Sequence, residues 1–309
     1  MGNSNITVII PAYNAAGTIA WALKSIAEQT LQPLKVIVVD DGSTDDTQRV
    51  IMVAKREFKL DLRYIYQPNA GVSAARNRGI AAAFGDYLAF LDADDVWFPD
   101  KLKKQMEVMA VTNADLVYVG QQVRSKITGE VFLVEPPPFD FDRLRRGNFI
   151  IPSTVLVRTT LARSLGGFDR AFNGIEDWDF AIRAYRAGAR FVAIPEPLII
   201  YTEAPGSLSF NDRILGQGLA LLAKGDLLSD LRGMEKIRYR AEILSTIFYG
   251  AAMIARTHGA NKREIACLVA SLACWPSKKT AKALVVSALR SINLYPLPKV
   301  GRMKAPPVR

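Results

Sequence analysis

Residues 36–44 read Val-Ile-Val-Val-Asp-Asp-Gly-Ser-Thr, an apolar β-branched run that ends in two aspartates and a glycine. β-branched residues favour strands, and Gly, Asp and Ser are typical of the turns that follow them. A short apolar run without polar alternation is consistent with a strand that is buried on both faces. The stretch therefore predicts a buried strand with Asp40 and Asp41 at its carboxyl end.

Short runs of the same kind recur on either side of it, at Ile6–Pro11, Leu62–Gln67 and Tyr87–Leu91. The segments between these runs have helical patterns. Gly71–Phe84 is Ala-rich and helical, and Thr44 is placed to cap the helix that follows the central run. Apolar strands that alternate with helices are typical of a parallel sheet covered on both faces. This part of the chain is therefore predicted to be an α/β domain with a mostly parallel sheet.

Polar side chains follow three of the four predicted strands. The first strand is followed by Pro11-Ala12-Tyr13-Asn14, the second by Asp40-Asp41-Gly42-Ser43, and the fourth by Asp92-Ala93-Asp94-Asp95. Ligands of such sheets bind at the carboxyl ends of the strands. The three clusters therefore predict one site on that rim. The sequence contains neither GxGxxG nor GxxxxGK[ST], so dinucleotide and P-loop chemistry are not indicated.

Each cluster has a structural as well as a functional interpretation. An Asp after a strand is usually a turn former or a helix cap. Carboxylates crowded as closely as Asp92, Asp94 and Asp95 repel one another, and a bound Mg²⁺ or Mn²⁺ that also holds a diphosphate would relieve this repulsion. Asp41 belongs either to a tight turn or to a binding site for a base or ribose. Tyr13 is either ordinary core or a ring that stacks on a base.

The middle of the chain changes character, because short strands no longer alternate regularly with helices. The predicted elements are strands at Leu116–Arg124, Val131–Val134, Val155–Arg158 and Leu198–Tyr201 and a helix at Asp177–Ala187. From Leu208 onward the pattern is helical.

The charge of the chain is distributed unevenly. Its net charge is +10, but residues 1–210 carry 23 basic and 24 acidic side chains, whereas residues 211–309 carry 17 and 6. Two domains are therefore predicted, a neutral domain at 1–210 and a basic helical region at 211–309. Two cysteines and one histidine exclude a disulfide scaffold and a multi-histidine metal site.

The ordered series of motifs closely resembles glycosyltransferase family 2, in particular the bacterial enzymes of exopolysaccharide and cell-surface polysaccharide synthesis. The resemblance covers roughly residues 5–210. Besides the three strand-end clusters it rests on these segments: Gly71-Val72-Ser73-Ala74-Ala75-Arg76-Asn77, Gly166-Gly167-Phe168-Asp169, Glu176-Asp177-Trp178-Asp179 and Gly206-Ser207-Leu208-Ser209. It implies a GT-A fold with a helical C-terminal extension. It also implies inverting transfer of a sugar from a nucleotide diphosphate, usually UDP.

The resemblance also implies roles for individual residues. The nucleotide-sugar donor would be bound by residues of the strand-end motifs and of the Arg-Asn segment: Pro11, Tyr13, Asp40, Asp41, Arg76, Asn77, Asp92 and Asp94. Asp94 and Asp92 would hold Mn²⁺ or Mg²⁺, with Asp94 the more direct ligand and Asp92 contacting either the ribose or the metal. Asp177 matches the catalytic base, although an acidic pair at this place also favours a helix N-terminus. Trp178 is either an acceptor platform or core.

Two departures from the family pattern narrow the expectation. None of the four tryptophans follows an arginine, so the Gln-x-x-Arg-Trp motif of processive synthases is absent and one sugar per encounter is expected. Residues 201–205 read Tyr-Thr-Glu-Ala-Pro, without the Arg and His that many relatives have there. Which residues of this segment would contact the diphosphate is therefore not indicated. His258 is expected to be a surface or packing residue.

The basic C-terminal region allows two interpretations. An apolar stripe runs through Lys278–Asn293, with lysines largely away from it, so this helix either packs on the domain or lies on an anionic membrane that holds a lipid-linked oligosaccharide acceptor. With no secretory signal and no apolar run long enough to span a bilayer, a cytoplasmic location with peripheral contact at the inner face of the cell membrane is expected. Residues 296–309 are expected to be poorly ordered.

Two other classes of protein are alternatives to an enzyme. A non-catalytic protein could keep the fold and act as a membrane-recruited binding partner, but the acidic motifs favour catalysis. Nucleic-acid binding is disfavoured, because the basic region contains no recognisable nucleic-acid module and residues 1–210 are neutral.

Overall fold

A computed structural model describes residues 5–126, 129–172, 174–203, 214–257, 260–274 and 276–291. Within these residues, nine strands form one sheet in the order β3-β2-β1-β4-β8-β6-β9-β5, with β7 paired to β6. The strands are β1 Ile6–Ala12, β2 Lys35–Asp40, β3 Leu62–Tyr66, β4 Tyr87–Phe90, β5 Val96–Trp97, β6 Leu116–Ser125, β7 Val131–Val134, β8 Leu156–Arg158 and β9 Phe191–Glu203. The helices are α1 Ile19–Ala27, α2 Thr47–Glu57, α3 Val72–Ala82, α4 Lys101–Thr112, α5 Phe141–Arg146, α6 Thr159–Ser164, α7 Glu176–Arg186, α8 Ile214–Lys224, α9 Gly233–Thr257, α10 Asn261–Cys274 and α11 Lys278–Ser291.

The first four strands are all parallel, as predicted. β1 lies between β2 and β4, and β3 pairs on the far side of β2. The register places Ala12 opposite Asp40 and Asp40 opposite Tyr66, so the carboxyl ends of these strands are level. The motifs that follow the strands therefore begin at one edge of the sheet.

The second half of the sheet is mixed. β8 is antiparallel to both β4 and β6, whereas β6 runs parallel to β9 over their whole length, with a bulge at Gly120. The predicted β6–β7 pair is present, although Thr128 of its predicted turn lies outside the described residues. β9 continues to Glu203 and carries the segment that begins at Tyr201 to the same edge as the acidic motifs.

The hydrophobic core has a large cluster on each face of the sheet. One contains Ile10, Val38 and Trp97 together with the apolar faces of α1, α2 and α4. The other contains Phe90 and Trp178, and it also includes Leu221, Leu228, Tyr239 and Ile243 from α8, α9 and the short 3-10 helix between them. The core thus extends across the predicted boundary at residue 210, and the division into two domains remains a prediction.

The last helices pack on α9. Ser271 of α10 donates a 2.9 Å hydrogen bond to the carbonyl of Ser245, beside a smaller cluster that includes Ala252 and Leu268. α11 falls within the predicted helix Lys278–Asn293, and its Leu284 packs against that cluster. Among the described residues, none of the helices combines the length and the apolar character needed to cross a bilayer.

The expectation that Thr44 caps the second helix is wrong. α2 begins at Thr47, after Asp46. Thr44 instead joins the loop after β2 to the loop after β1, since its backbone N–H donates to Oδ1 of Asn14 at 2.8 Å. The backbone N–H of Thr47 is satisfied by Oδ1 of Asp45 at 3.0 Å.

Candidate active site

The loops after β1 and β2 are joined to each other and leave Tyr13 exposed. The backbone N–H of Asn14 donates to Oγ of Ser43 at 2.9 Å, and Asn14 accepts from Thr44 in return. Pro11 is buried within β1, whereas 54% of Tyr13 is exposed. Of the two interpretations of Tyr13, the core one is therefore wrong, and its ring is open to a stacking partner at the rim.

Asp40 and Asp41 are buried and fully engaged with the protein. Asp40 accepts from the backbone N–H of Ser43 at 2.8 Å and from the hydroxyl of Tyr64 at 2.7 Å. Asp41 accepts from Nε2 of Gln67 and from the backbone N–H groups of residues 70 and 71 at 2.7, 2.9 and 2.8 Å. The two carboxylates therefore fix the loops at the carboxyl ends of β2 and β3.

Gly42, between this pair and Ser43, is required by the geometry of the turn. Its φ is +80°, which side chains rarely adopt, and an added Cβ would lie 2.7 Å from the backbone nitrogen of Asn69. The turn brings the loop after β2 against the loop after β3.

Arg76, on α3, joins two of the acidic motifs. Its side chain is 3% exposed; Nη2 donates to Asp92 and Nη1 to Glu176, each at 2.6 Å. Burial opposes the charge on the guanidinium, but the two carboxylates outweigh this and raise the pKa of Arg76. The ring of Phe168 lies 5.3 Å beneath the guanidinium. Arg76 therefore lies within the site but is enclosed by protein.

Asn77 is turned toward the Gly166–Asp169 motif. Its Nδ2 donates to the carbonyl of Phe168, and its Oδ1 accepts from the backbone N–H of the same residue, both at 2.7 Å. A Cβ on Gly167, where φ is +74°, would lie 2.2 Å from that Oδ1. Asn77 thus clamps the backbone of a motif 91 residues away.

The loop after β4 carries the crowded carboxylates. Asp92 is partly exposed, and its backbone N–H donates to Oγ of the fully buried Ser153 at 3.0 Å. Asp95 is buried and accepts from the backbone N–H of Thr202 in β9 at 3.2 Å. Asp94 is exposed. The surrounding protein, followed by the charge of Asp92, raises the pKa of the Asp94 carboxyl.

These residues fit a divalent cation that is shared with a diphosphate. Mg²⁺ and Mn²⁺ take oxygen ligands, and Mg²⁺ is usually held by one or two carboxylates together with substrate phosphates and water. Asp92 and Asp94 supply such oxygens, and the repulsion between them is what a cation would relieve. Among the described residues, no group of three His, Cys, Asp or Glu side chains is arranged to hold a metal by itself. A cation at this place would therefore need further ligands beside Asp92 and Asp94, such as substrate phosphates and water.

Glu176 and Asp177 begin α7, on the other side of Arg76. Asp177 accepts a 2.7 Å hydrogen bond from the backbone N–H of Trp178 and lines a small cavity together with Phe90, Phe168 and Phe180. This burial, followed by the negative charge of Glu176, raises the pKa of Asp177 to about 7, although Arg76 acts in the opposite direction. A carboxyl with that pKa is suited to accept a proton near neutral pH.

Trp178 belongs to the core. It is buried, and its indole N–H donates to the carbonyl of Leu144 in α5 at 2.7 Å. Of the two interpretations of this residue, the acceptor platform is excluded, because the ring is covered on the inner side of α7.

Two residues near the site had no signal in the sequence analysis. Ser153 lies in a short 3-10 helix at Pro152–Thr154 and holds the backbone of Asp92. Lys224, at the end of α8, donates to Asp179 at 2.8 Å and to Asp169 at 3.4 Å, so it reaches two motifs from beyond residue 210. Neither role could be predicted from a sequence pattern, because each depends on segments that are distant in the sequence and meet only in the folded protein. Two features singled out in the sequence, Gly206–Ser209 and His258, lie outside the described residues.

Comparison with known sequences finds similarity to glycosyltransferases. The sequence model of Glycosyl transferase family 2 matches residues 7–165. An uncharacterized glycosyltransferase of Rickettsia conorii is 38% identical over 113 residues, which is 37% of this chain and 18% of that relative. The amylovoran biosynthesis glycosyltransferase AmsB of Erwinia amylovora is 32% identical over 216 residues, covering 65% of this chain and 70% of AmsB. The chain thus matches less than a fifth of the Rickettsia protein and most of AmsB.

Solved structures with similar folds include two nucleotide-sugar complexes. S. aureus TarS 1-349 in complex with UDP-GlcNAc has a TM-score of 0.66 and 23% identity, covering 93% of this chain and 85% of that one. The mannosyltransferase PcManGT from Pyrobaculum calidifontis, in complex with GDP-Man and Mn²⁺, has a TM-score of 0.63 and 20% identity, covering 95% and 88%. At these identities the likeness concerns the fold, and it confirms the predicted α/β GT-A architecture with C-terminal helices.

Proposed function

Because the chain belongs to glycosyl transferase family 2, we propose that it is an inverting glycosyltransferase, which moves a single sugar from a nucleoside-diphosphate sugar to an acceptor hydroxyl. One observation carries the proposal. Arg76 bonds to both Asp92 and Glu176, and it thereby brings the carboxylates suited to a metal–diphosphate group next to Asp177, a carboxyl suited to proton removal. This proximity supports neighbouring sites for donor activation and acceptor activation.

The donor is assigned to the rim formed by β1, β2 and β3. Tyr13 would stack on the base, with Pro11 setting the start of its loop. Asp40 and Asp41 have their carboxylate oxygens occupied by the loops that they shape, so we assign them to the walls of the nucleotide pocket. A UDP-sugar is the proposed donor, which is the class of ligand present in the TarS complex.

The diphosphate is assigned to the loop after β4. Asp94, supported by Asp92, would hold Mn²⁺ or Mg²⁺; such a cation neutralises the charge that grows on a leaving diphosphate. Arg76 orients the Asp92 carboxylate through a hydrogen bond, and Asn77 orients the backbone of Phe168 in the same way. In this proposal Arg76 and Asn77 are positioning residues, because Nη1 and Nη2 of Arg76 and both amide atoms of Asn77 bond to protein.

Asp177 is assigned as the catalytic base. A hydroxyl that attacks the anomeric carbon must lose its proton, and a carboxylate with a pKa near neutral takes it efficiently. Removal of the proton on the face opposite the leaving group agrees with a single displacement and inversion. The apolar wall beside Asp177 restricts water there, which favours transfer over hydrolysis.

We further propose that the acceptor is a lipid-linked oligosaccharide in polysaccharide synthesis. The relative AmsB is named for amylovoran biosynthesis, and the excess positive charge of residues 211–309 is complementary to an anionic membrane surface. The protein would therefore act at the inner face of the cell membrane through peripheral contact, adding one sugar per encounter.

A donor screen tests the enzymatic part. UDP-, GDP- and dTDP-sugars are incubated with the protein and Mn²⁺ or Mg²⁺, and release of the nucleoside diphosphate is measured. We expect metal-dependent release that is strongest with a UDP-sugar. Tyr13→Ala should raise the donor KM, whereas Tyr13→Phe, which keeps the ring, should not. UDP binding without turnover of any donor in the presence of acceptor lipids would instead support the non-catalytic binding protein.

A vesicle assay tests the membrane part. Lys279→Glu with Lys282→Glu places two negative charges on the exposed surface of α11, and Arg56→Glu with Lys59→Glu does the same on exposed residues of the neutral domain. Only the α11 pair should reduce sedimentation with phosphatidylglycerol-containing vesicles. Equal loss from both pairs would point to general charge attraction, and no loss from the α11 pair would exclude α11 as the contact.

A further inference from the structure

Lys101, the first residue of α4, has a buried side chain that the proposed function does not use. It is 0% exposed, and its Nζ donates a 2.8 Å hydrogen bond to Oε1 of Gln105. The same nitrogen lies 4.0 Å from the ring centre of Trp97. Among the described residues, no carboxylate forms an ion pair with it. A lysine so enclosed is uncommon, because burial disfavours its charged form and holds its pKa well below the usual value.

Both neighbours of the amine lead to the same short segment. The indole N–H of Trp97 donates to the carbonyl of Ser153 at 2.9 Å. Nε2 of Gln105 donates to the carbonyl of Thr154 at 2.9 Å. Trp97 and Gln105 are buried as well, so the two hydrogen bonds are shielded from water. The amine of Lys101 thus lies between two side chains that hold the 3-10 helix Pro152–Thr154.

That 3-10 helix is in direct contact with the proposed diphosphate site. Oγ of Ser153, which is 0% exposed, accepts the 3.0 Å hydrogen bond from the backbone N–H of Asp92. A continuous series of contacts therefore runs from Lys101 through Trp97 and Gln105 to Ser153, and from Ser153 to the backbone of Asp92.

We propose that Lys101 is a positioning residue for Asp92, acting through Trp97, Gln105 and the Pro152–Thr154 helix. Carboxylates that share a cation with a diphosphate must be held within about 0.5 Å, which requires a supporting shell that is itself fixed. The amine fills the space between an aromatic face and an amide oxygen, and it fixes both side chains at once. The consequence for ligand binding rests on the proposed function, whereas the fixation of the Asp92 backbone does not.

The positional part is tested by amide hydrogen exchange on the full chain without ligand. Lys101→Met removes the amine, and Ser153→Ala removes the oxygen that receives the Asp92 N–H. Both should speed exchange at the peptide that contains Asp92. Gln29→Ala is the matched control, because Gln29 is also buried and bonds to the start of α4 at Leu102, whereas its side-chain hydrogen bonds go to Ser25, Phe98 and Leu102 and not to the Pro152–Thr154 helix. Unchanged exchange in Lys101→Met would overturn the proposal.

The functional part is tested by calorimetry with UDP and Mn²⁺. Loss of outer-shell support typically weakens metal sites, so Lys101→Met and Ser153→Ala should each weaken binding about tenfold or more, while Gln29→Ala should not. Faster exchange at Asp92 with unchanged UDP affinity would overturn this functional part alone. Absence of UDP binding in the unaltered protein would overturn the proposed donor class, and exchange would still decide the positional part.

A double variant separates positioning from general damage to the core. If Lys101 acts through Ser153, Lys101→Met combined with Ser153→Ala should weaken UDP binding no more than Ser153→Ala alone. If the two substitutions caused independent structural defects, their effects on UDP affinity would multiply. That result would contradict the proposal that Lys101 acts through Ser153. Each comparison is made at equal folded fraction by circular dichroism. If Lys101→Met does not fold, Lys101→Gln, alone and combined with Ser153→Ala, carries the same test.

Discussion

Arg76 and Glu176 are 100 residues apart in the sequence, yet Nη1 of the arginine lies 2.6 Å from Oε1 of the glutamate. Both side chains are almost fully buried, at 3% and 7% exposure. Because the same guanidinium also binds Asp92, it connects the loop after β4 with the start of α7. The guanidinium therefore joins the proposed diphosphate site to the start of the helix that carries the proposed base.

Arg76→Met should destabilise the protein markedly. Removal of one partner of a buried ion pair leaves the other charge uncompensated, which typically costs about 3–5 kcal/mol. Urea unfolding measures the loss. The control is Arg78→Met on the same helix, since Arg78 is exposed and should change stability little. A similar stability for the two variants would contradict a structural role for the buried arginine.

Asp177 should make transfer dependent on pH near neutrality. Its pKa is raised to about 7, so the carboxylate that accepts the proton is lost as the pH falls below that value. kcat/KM should therefore rise with pH and level off above about 7, with a slope that reports one group. Asp177→Asn should abolish transfer and keep UDP binding. Full transfer by Asp177→Asn would show that another group is the base.

The raised pKa of Asp177 should also make folding stability fall as the pH rises, whereas activity should rise. An ordinary aspartate has a pKa of 3.8, so between that pH and about 7 the folded protein holds a proton that the unfolded chain has lost. Folding stability from this group is therefore greatest at low pH and falls as the pH rises to 7. Above pH 7, Asp177→Asn should therefore be more stable than the unaltered protein. Thermal unfolding at pH 8 measures the difference.

Asp94 should carry most of the metal dependence. Asp94→Asn removes a charged ligand from the rim, so the Mn²⁺ concentration for half-maximal UDP binding should rise by about tenfold or more. Asp46→Asn provides a control, because Asp46 is an exposed carboxylate just before α2 that pairs only with Arg49 among the described residues. Treatment with EDTA should reduce the affinity of the unaltered protein and of Asp46→Asn but have little further effect on Asp94→Asn. Equal EDTA sensitivity would assign the metal elsewhere.

Leu221 tests whether the C-terminal helices fold with the sheet. It is fully buried in the core cluster that also contains Phe90 and Trp178. Leu221→Ala should cost about 2–5 kcal/mol, in a single transition that also reports on the sheet. Leu219→Ala, on the exposed side of α8, is the control. Two separate transitions would support independent folding of 1–210 and 211–309.

Most of the fold could be predicted because its signals are local. The strands β1 to β4 are apolar runs bounded by turn residues, and their parallel arrangement follows from the helices between them. Since such strands end at one edge, the motifs that contain Tyr13, Asp41 and Asp94 could be assigned to one rim without coordinates. The mixed second half of the sheet was less predictable, because antiparallel pairing of β8 with β4 depends on contacts far apart in sequence.

The family, the α/β class and the acidic motifs could be predicted from short ordered segments of the sequence. The contacts of several of those residues depend on the folded chain. Arg76 faces two carboxylates, Asn77 holds a backbone, and Trp178 is core. Ser153 and Lys224 reach the site from segments without any motif. The physical reason is that a side chain's partners are set by the packing of distant elements, whereas turns and strands are set by neighbouring residues.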